Sequence, residues 1–345
     1  MNGPETLEIT AVLNRVFEGG QLERAEARQV MGMLMDGQLS QMQAAALLAA
    51  LRTRGEAVEE IVGFAEAMRE RAIPLPVSGD EPLLDTCGTG GTGLNTINIS
   101  TTSMFIIAAS GAKVAKHGNR GFTRRSGSAD LLEQLGANLD LTPEQLAACL
   151  DETGVTFIFA RNHHPAMKFV APVRADLKAR TVFNSLGPLT NPARARRHVL
   201  GVYAPELTEK LAHTLAGLGV ERAMVVHGDG LDDFSVSGTT RVSELAADGT
   251  VSNYEMNPED FGMQRAPLDD IRGGDAAENA DKARRILAGE LGGACRDVVL
   301  LSAGAGIFVA GKADSMADGV ELARGLLDSG AAAAKLEQFL EFSRR

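Results

Sequence analysis

The 345-residue chain has no tryptophan and two tyrosines, and aromatic residues make up 4% of it. Proteins that bind single-stranded nucleic acid stack bases on aromatic side chains, so this scarcity argues against that class. Positive charge is also in the minority, with 34 lysines and arginines against 45 acidic residues and a formal net charge of −11. Such a balance argues against a protein that binds nucleic acid or an anionic membrane over a broad surface. An anionic ligand would need a local concentration of positive charge.

Cysteine and long apolar runs are scarce as well. Cys87, Cys149 and Cys295 are widely spaced and form no CxxC pair, which provides neither a disulfide framework nor a zinc site. The longest apolar stretch, residues 298–310, is interrupted by glycines and is shorter than the ~20 residues that a membrane-spanning helix needs. Residues 1–10 lack the basic segment that begins a signal peptide. We therefore expect a soluble, cytoplasmic protein.

The hydrophobic pattern divides the chain in two. As far as Pro74 and Pro76, four short amphipathic segments end at glycines or prolines, which predicts a small helical domain that must pack on the rest of the chain or on a second copy. Beyond these prolines, short apolar runs alternate with helical patterns, which predicts an α/β domain with a mostly parallel sheet. Capping-box patterns at Ser40 and Thr142 predict helix starts. The predicted strands are residues 112–115, 155–160, 199–203, 223–226 and 298–301, with a hairpin at 242–254 and a helix at 96–109.

One segment departs from the acidic average. Residues 86–129 contain no Asp or Glu, although they include two lysines, three arginines and His117. The segment also contains two loops rich in Gly, Ser and Thr, residue types that let backbone N–H groups approach phosphate oxygens. We interpret the segment as an anion site, most simply for phosphate, rather than as a solvated basic face.

The first of these loops, residues 88–93, formally matches the dinucleotide-binding pattern G-x-G-x-x-G. The acid that would bind the ribose about 20 residues later is absent, and no G-K-[ST] follows to make a Walker loop. Residues 98–103 instead place several hydroxyl and amide groups at a predicted helix start, which suits a ligand with many oxygens.

Further motifs follow in a fixed order between residues 85 and 235. They are GTGG at 88–91, NIST at 98–101, KHGNR at 116–120, SGSAD at 126–130, HPAMK at 164–168 followed by Arg174, RTVFNSLGPLTNP at 180–192 and HGDGLDD at 227–233. In this set and order the sequence resembles the anthranilate phosphoribosyltransferases along essentially its whole length. The resemblance implies a helical domain of residues 1–75, on which residues 165–190 pack. It implies an α/β domain of residues 76–345 of the nucleoside phosphorylase/phosphoribosyltransferase type, and a homodimer.

Members of that family join the amino group of anthranilate to C1 of phosphoribosyl pyrophosphate and expel pyrophosphate, in the second step of tryptophan synthesis. A pyrophosphate leaving group needs cations, backbone donors and Mg²⁺. The resemblance implies a Mg²⁺ site at Ser100, Asp232 and Asp233, and an anthranilate site at Gly88, Asn119 and Arg174; it implies no acid or base. The phosphoribosyl pyrophosphate site would comprise Gly88, Gly91, Thr92, Thr96, Asn98, Ile99, Ser100, Thr101, Lys116, His117, Gly118, Asn119, Arg120, Arg124 and Ser128.

Five positions depart from the family pattern. Thr92 and Arg124 replace a usual Asp and Ser, which makes the pocket more positive, so we expect phosphate binding to survive or tighten. Asp233 replaces a Glu, Lys178 a Gly and Phe169 a His. These changes keep two alternatives open, a nucleoside phosphorylase of the same fold or a transferase for another aromatic amine. A nucleic-acid-binding relative is disfavoured by the charge and the retained motifs.

Two reactive residue types near the motifs are interpreted as structural. Cys87 has no His–Asp arrangement beside it and is expected to be a small buried residue rather than a nucleophile. His163 and His164 lack the spacing of a metal-binding pair, and His164 is expected to line the pocket or shape its loop.

Overall fold

The computed structural model describes residues 7–121 and 125–345 and begins with a unit of four helices. At the start of the third helix the Ser40 hydroxyl accepts a hydrogen bond from the Gln43 N–H at 3.2 Å, and the Gln43 amide oxygen accepts one from the Ser40 N–H at 3.0 Å. This confirms the predicted capping box. The helices are α1 (Ile9–Phe17), α2 (Arg24–Met35), α3 (Gln41–Arg54) and α4 (Val58–Arg71).

The second unit is built on a seven-stranded sheet in the order β3-β2-β1-β4-β5-β6-β7. The first five strands are parallel to one another, β6 is antiparallel to β5, and β7 is antiparallel to β6. This confirms the mostly parallel sheet. The chain moves outward from β1 to β3 and then returns to β4 on the other side of β1, so the strand order reverses between β1 and β4. The strands are β1 (Leu84–Gly88), β2 (Val114–Gly118), β3 (Val155–Phe159), β4 (Arg197–Gly201), β5 (Arg222–Gly228), β6 (Thr240–Leu245) and β7 (Val251–Met256).

Helices connect the strands and complete the chain. Thr142 caps α7 by accepting a hydrogen bond from the Gln145 N–H at 3.3 Å, as its capping pattern predicts. The helices are α5 (Ile99–Ala109), α6 (Ser128–Leu135), α7 (Pro143–Thr153), α8 (Ala160–His163), α9 (Ala171–Leu177), α10 (Phe183–Leu186), α11 (Leu207–Gly217), α12 (Ala276–Leu287), α13 (Ala294–Val309), α14 (Met316–Asp328) and α15 (Ala331–Ser343). No helix of the described ranges is long and apolar enough to cross a membrane.

The structure corrects three predicted elements. The predicted strand at 298–301 is wrong, because these residues lie within α13, a buried helix that packs against α5 and α14. A short apolar run fits a buried helix as well as a buried strand, so periodicity could not separate the two. The predicted strand at 112–115 is shifted to β2, and the helix predicted from residue 96 begins at Ile99. The hairpin at 242–254 is confirmed by the antiparallel pairing of β6 and β7.

Two hydrophobic layers cover the sheet. On one face α5 packs over β1 and β2, α13 packs over β4 and β5, and α15 packs on α5. On the other face, buried side chains of α2 and α4 share one core with α11, β4 and β5. Residues 165–189 join this second core through side chains such as Val170, Val182 and Leu186. The helical unit is therefore joined to the sheet through a continuous core, next to the carboxyl ends of β1 and β4.

Candidate active site

A cavity of about 730 Å³ opens where β1 and β2 end. In parallel α/β sheets, ligands bind at the carboxyl ends of strands where the strand order reverses. All the site residues predicted from the sequence line this cavity except Thr92, Thr96 and Arg124. Thr96 is buried and pairs with Arg272 in an isolated bridge, and Arg124 falls outside the described residues.

The glycine loop that follows β1, residues 88–93, is named here the phosphate loop. Two of its backbone N–H groups hold its first half in place. The Thr89 N–H donates to the Gly201 carbonyl at 2.9 Å, and the Gly90 N–H donates to a carboxylate oxygen of Asp232 at 2.7 Å. Gly90 and Gly91 have φ values of +70° and +82°, in the left-handed region that glycine adopts without strain. The sequence of the loop therefore permits the tight turn that the cavity requires.

The Asp232–Asp233 turn lies directly over the ends of β1 and β4, and two glycines make room for it. A Cβ atom on Gly88 would lie 2.3 Å from Oδ2 of Asp232, and one on Gly201 would lie 1.9 Å from the Asp232 carbonyl oxygen. Both carboxylates and Ser100 line the cavity. Among the described residues no three His, Cys, Asp or Glu side chains cluster as a complete metal site. Two carboxylates and a hydroxyl nevertheless fit Mg²⁺, which is usually held by one or two carboxylates together with substrate phosphates.

The amino-terminal ends of α5 and α6 meet at the cavity. The Thr101 hydroxyl donates to the Ser128 hydroxyl at 2.9 Å, which links the first turns of the two helices. Asn98, just before α5, donates to the Ser126 carbonyl at 3.2 Å and accepts from the Asn279 side chain at 2.8 Å. Unpaired N–H groups and the helix dipole make such ends suitable for phosphate.

A buried lysine and a buried aspartate lie behind the phosphate loop. Lys116 is 1% exposed, and its ammonium donates to the Thr86 carbonyl and, at 3.1 Å, to the Ser100 hydroxyl. Asp85 is fully buried and accepts from the His117 N–H at 3.0 Å and from the Asn191 amide at 2.8 Å. Burial raises the pKa of Asp85 to about 6 and lowers the pKa of Lys116, and each charge opposes the burial effect on the other.

Arg174 lines the same cavity from α9, in the segment of residues 160–190 that forms its second wall. Its guanidinium lies 5.5 Å from the centre of the Phe183 ring, and no described carboxylate forms an ion pair with it. Burial lowers its pKa, but an arginine remains charged at neutral pH. A half-buried cation without a carboxylate partner is suited to bind a carboxylate of a ligand.

Two histidines that line the cavity contact each other, with 3.2 Å between Nε2 of His117 and Nε2 of His164. Because the Gly187 carbonyl can only accept, Nδ1 of His117 carries the proton in their 3.2 Å hydrogen bond, and Nε2 of His164 is then the donor between the rings. Burial lowers the pKa of both rings, to about 4 for His164. Both are therefore neutral at pH 7.

Several lining residues were not among the predicted site residues. Met68 reaches the cavity from α4, and Arg161, Met167 and Lys168 reach it from the chain between β3 and α9. The HPAMK motif covered the last two, but nothing in the sequence places α4 beside the phosphate loop. Arg120 does line the cavity, yet its guanidinium pairs with Glu133 at 2.6 Å.

Two of the residues that depart from the family pattern lie in well-defined surroundings. Lys178 ends α9 with a φ of +47°, a left-handed conformation in which glycine is free of strain, so the usual glycine is explained. Phe169 is 42% exposed and packs over Gly37.

Cys87 is buried, and burial raises the pKa of its thiol, as expected for a structural cysteine.

Comparison with known proteins agrees with this geometry. A family model described as the a/b domain of a glycosyl transferase family matches residues 80–333, and its helical bundle domain matches residues 10–72. Curated anthranilate phosphoribosyltransferases from Rubrobacter xylanophilus and Symbiobacterium thermophilum are 53% and 51% identical to the chain, each over 98% of both sequences. The chain belongs to the anthranilate phosphoribosyltransferase family.

Solved structures of the family have the same fold. The crystal structure of anthranilate phosphoribosyltransferase from Thermus thermophilus matches with a TM-score of 0.92 and 49% identity, over 96% of this chain and 99% of that chain. The Saccharomyces cerevisiae enzyme in complex with PRPP and Mg matches with a TM-score of 0.88 and 25% identity, over 97% and 98% of the two chains. The predicted fold class and family resemblance are confirmed.

Proposed function

We propose that this protein transfers the phosphoribosyl group of phosphoribosyl pyrophosphate to the amino group of anthranilate, with release of pyrophosphate. The observation that carries the proposal is one cavity with two chemically different walls. One wall has the phosphate loop, two helix amino-terminal ends and the Asp232–Asp233 turn. The other has the half-buried cation Arg174, which has no described carboxylate partner.

The first wall suits the donor substrate. Backbone N–H groups of the phosphate loop and of α5 would bind phosphate oxygens, with the Lys116 ammonium behind them. Asp232, Asp233 and Ser100 would hold Mg²⁺, which supplies positive charge to the departing pyrophosphate. The C1–O bond breaks with its electron pair leaving on pyrophosphate, and positive charge develops at C1.

The second wall suits the acceptor. The Arg174 guanidinium would bind the anthranilate carboxylate in a charge-assisted hydrogen bond. The aromatic amine then forms the bond to C1 with its own lone pair, and the positively charged nitrogen loses a proton to solvent. We assign no general base, and acceleration comes from positioning and from stabilisation of the leaving group.

The test is to mix the protein with Mg²⁺, phosphoribosyl pyrophosphate and anthranilate and to follow anthranilate fluorescence. We expect a decay that requires both substrates and stops when Mg²⁺ is chelated. An Asp232→Asn variant should show a much slower decay. Consumption of a different aromatic amine, with no consumption of anthranilate, would show a related pentosyltransferase instead. Phosphorolysis of a nucleoside would point to the phosphorylase alternative.

We further propose that the protein is a homodimer formed through the helical unit. Phe17 on α1 and Met42 on α3 are 58% and 82% exposed, although both are large apolar residues. A second copy of the unit would cover them. Size-exclusion chromatography with light scattering should give a dimer, and a Met42→Lys variant should shift it toward the monomer; a wild-type monomer would contradict this.

The three cysteines are free and buried, which supports a reducing cytoplasm.

A further inference from the structure

Arg180 links the two walls of the cavity, although it has no role in the site as described so far. It lies between α9 and α10, in the segment that carries Arg174 and Phe183 on the acceptor wall. Its Nη2 group donates a hydrogen bond to the carbonyl oxygen of Gly91 in the phosphate loop. Its guanidinium lies 4.5 Å from the centre of the Tyr203 ring, which follows β4. The side chain therefore extends from the acceptor wall to the loop.

The loop needs an anchor at this position. Gly90 and Gly91 are consecutive glycines in the left-handed region, where rotation of a peptide plane meets little steric resistance. The first half of the loop is held by hydrogen bonds of Thr89 and Gly90 to β4 and to Asp232. Arg180 holds the second half from outside the loop.

The bond to the Gly91 carbonyl also sets the orientation of the peptide plane that follows Gly91. In a planar trans peptide the carbonyl and the following N–H point in opposite directions. When Arg180 binds the Gly91 oxygen, the N–H of Thr92 must point away from Arg180. A flip of this peptide would break the hydrogen bond to Arg180, so the guanidinium opposes the flip. Stacking on Tyr203 restricts the guanidinium itself.

We propose that Arg180 is a positioning residue that holds Gly91, which lines the cavity, in the conformation that binds the donor's phosphates, and that it connects this loop to the acceptor wall. The inference rests on the proposed function. Arg180 is exposed to solvent, so its replacement should not leave a cavity in the core.

The test compares Arg180→Met and Arg180→Lys with a matched control, Arg222→Met. Arg222 also stacks on an aromatic ring, 4.6 Å from the centre of Phe308, but it stands at the start of β5, whereas the cavity lies at the carboxyl ends of the strands. Loss of a charge-assisted hydrogen bond should raise KM for phosphoribosyl pyrophosphate about tenfold in Arg180→Met, with kcat and KM for anthranilate close to wild type. Arg180→Lys should be intermediate, because an ammonium can donate to Gly91 but lacks the planar face. Arg222→Met should match wild type.

Direct binding separates this inference from the proposed function. Titration calorimetry of phosphoribosyl pyrophosphate with Mg²⁺ should show the same weakening in Arg180→Met. An unchanged dissociation constant, or a fall in kcat with KM unaltered, would overturn the role of Arg180. If the wild-type protein binds phosphoribosyl pyrophosphate but does not consume anthranilate, the proposed acceptor is wrong, and the binding comparison still decides the role of Arg180.

Discussion

Gly201 offers a sharp test of the Asp232–Asp233 turn, although it carries no functional group. It ends β4 beneath the turn, and a Cβ atom there would lie 1.9 Å from the Asp232 carbonyl oxygen and 2.3 Å from the carbonyl carbon. Ordinary van der Waals contact begins at 3.4 Å, so a Gly201→Ala substitution must displace the turn by about 1.5 Å. Both atoms belong to the backbone, so no side-chain rotation can relieve the clash.

A displacement of this size should slow the reaction. It would break the 2.7 Å hydrogen bond from Gly90 to Asp232 and move the two carboxylates proposed to hold Mg²⁺. Misplacement of reacting groups by 1 Å costs about a hundredfold in rate. We therefore expect kcat/KM for phosphoribosyl pyrophosphate to fall by about that factor in Gly201→Ala, and the Mg²⁺ concentration for half-maximal rate to rise. Overpacking should also lower the free energy of unfolding by about 1–3 kcal/mol.

The assay is the initial rate of anthranilate consumption as a function of Mg²⁺, with thermal unfolding measured on the same samples. Gly325→Ala is a matched control, because Gly325 is exposed on α14 and a Cβ there meets nothing within 4 Å. It should keep the wild-type Mg²⁺ dependence and stabilise its helix slightly. If Gly201→Ala kept the wild-type kcat/KM and Mg²⁺ dependence, the position of the Asp232–Asp233 turn would not control the rate.

Three other predictions concern buried groups. Arg174→Met should raise KM for anthranilate at least tenfold, by loss of a charge-assisted hydrogen bond of about 1.5–3 kcal/mol, and leave KM for phosphoribosyl pyrophosphate unchanged; equal effects on both substrates would contradict its assignment. Burial lowers the pKa of His164 and His198 to about 4, so between pH 6.5 and 4 the unfolded chain takes up protons that the folded chain does not. The free energy of unfolding should therefore fall by about 2 kcal/mol per histidine from pH 7 to pH 5. In urea titrations, His198→Gln should lose part of that fall and the exposed His213→Gln should keep it. Because burial raises the pKa of the Cys87 thiol, iodoacetamide at pH 7.5 should leave the rate unchanged, and rapid inactivation with labelling at Cys87 would refute its structural role.

The features that could be predicted from sequence are those determined by local physics. Capping at Ser40 and Thr142 and the hairpin at 242–254 depend on residues close together in the sequence, and the structure has all three. The cavity wall formed by the phosphate loop and the start of α5 is also encoded in one continuous segment. Its glycines and hydroxyl residues, together with the absence of acids, were sufficient to indicate it.

Features determined by tertiary packing could not be predicted in this way. Residues 298–301 have the apolar pattern of a strand, but packing on α5 and α14 makes them part of a helix. In the sequence, Asp85 cannot be distinguished from a surface carboxylate. Its burial and its hydrogen bonds depend on residues 31 or more positions away, namely Lys116, His117 and Asn191. Met68 reaches the cavity because α4 shares a core with the sheet, and no local pattern encodes that arrangement.

The distribution of charge in the acid-free segment also differs from the simplest expectation. Two of its cations are paired with acids outside the segment, Lys113 with Asp151 at 2.9 Å and Arg120 with Glu133 at 2.6 Å. Lys116 remains directed toward the hydroxyl of Ser100 at the cavity. Carboxylates from outside the segment accept hydrogen bonds from some of its N–H groups, since Gly90 donates to Asp232 and Gly127 donates to Asp130. The segment itself adds no acid that would compete for the other N–H groups of its loops and helix ends. Such fixed dipoles bind phosphate without the reorganisation that mobile surface side chains require. This is how a chain with a net charge of −11 can present a site for a polyanion.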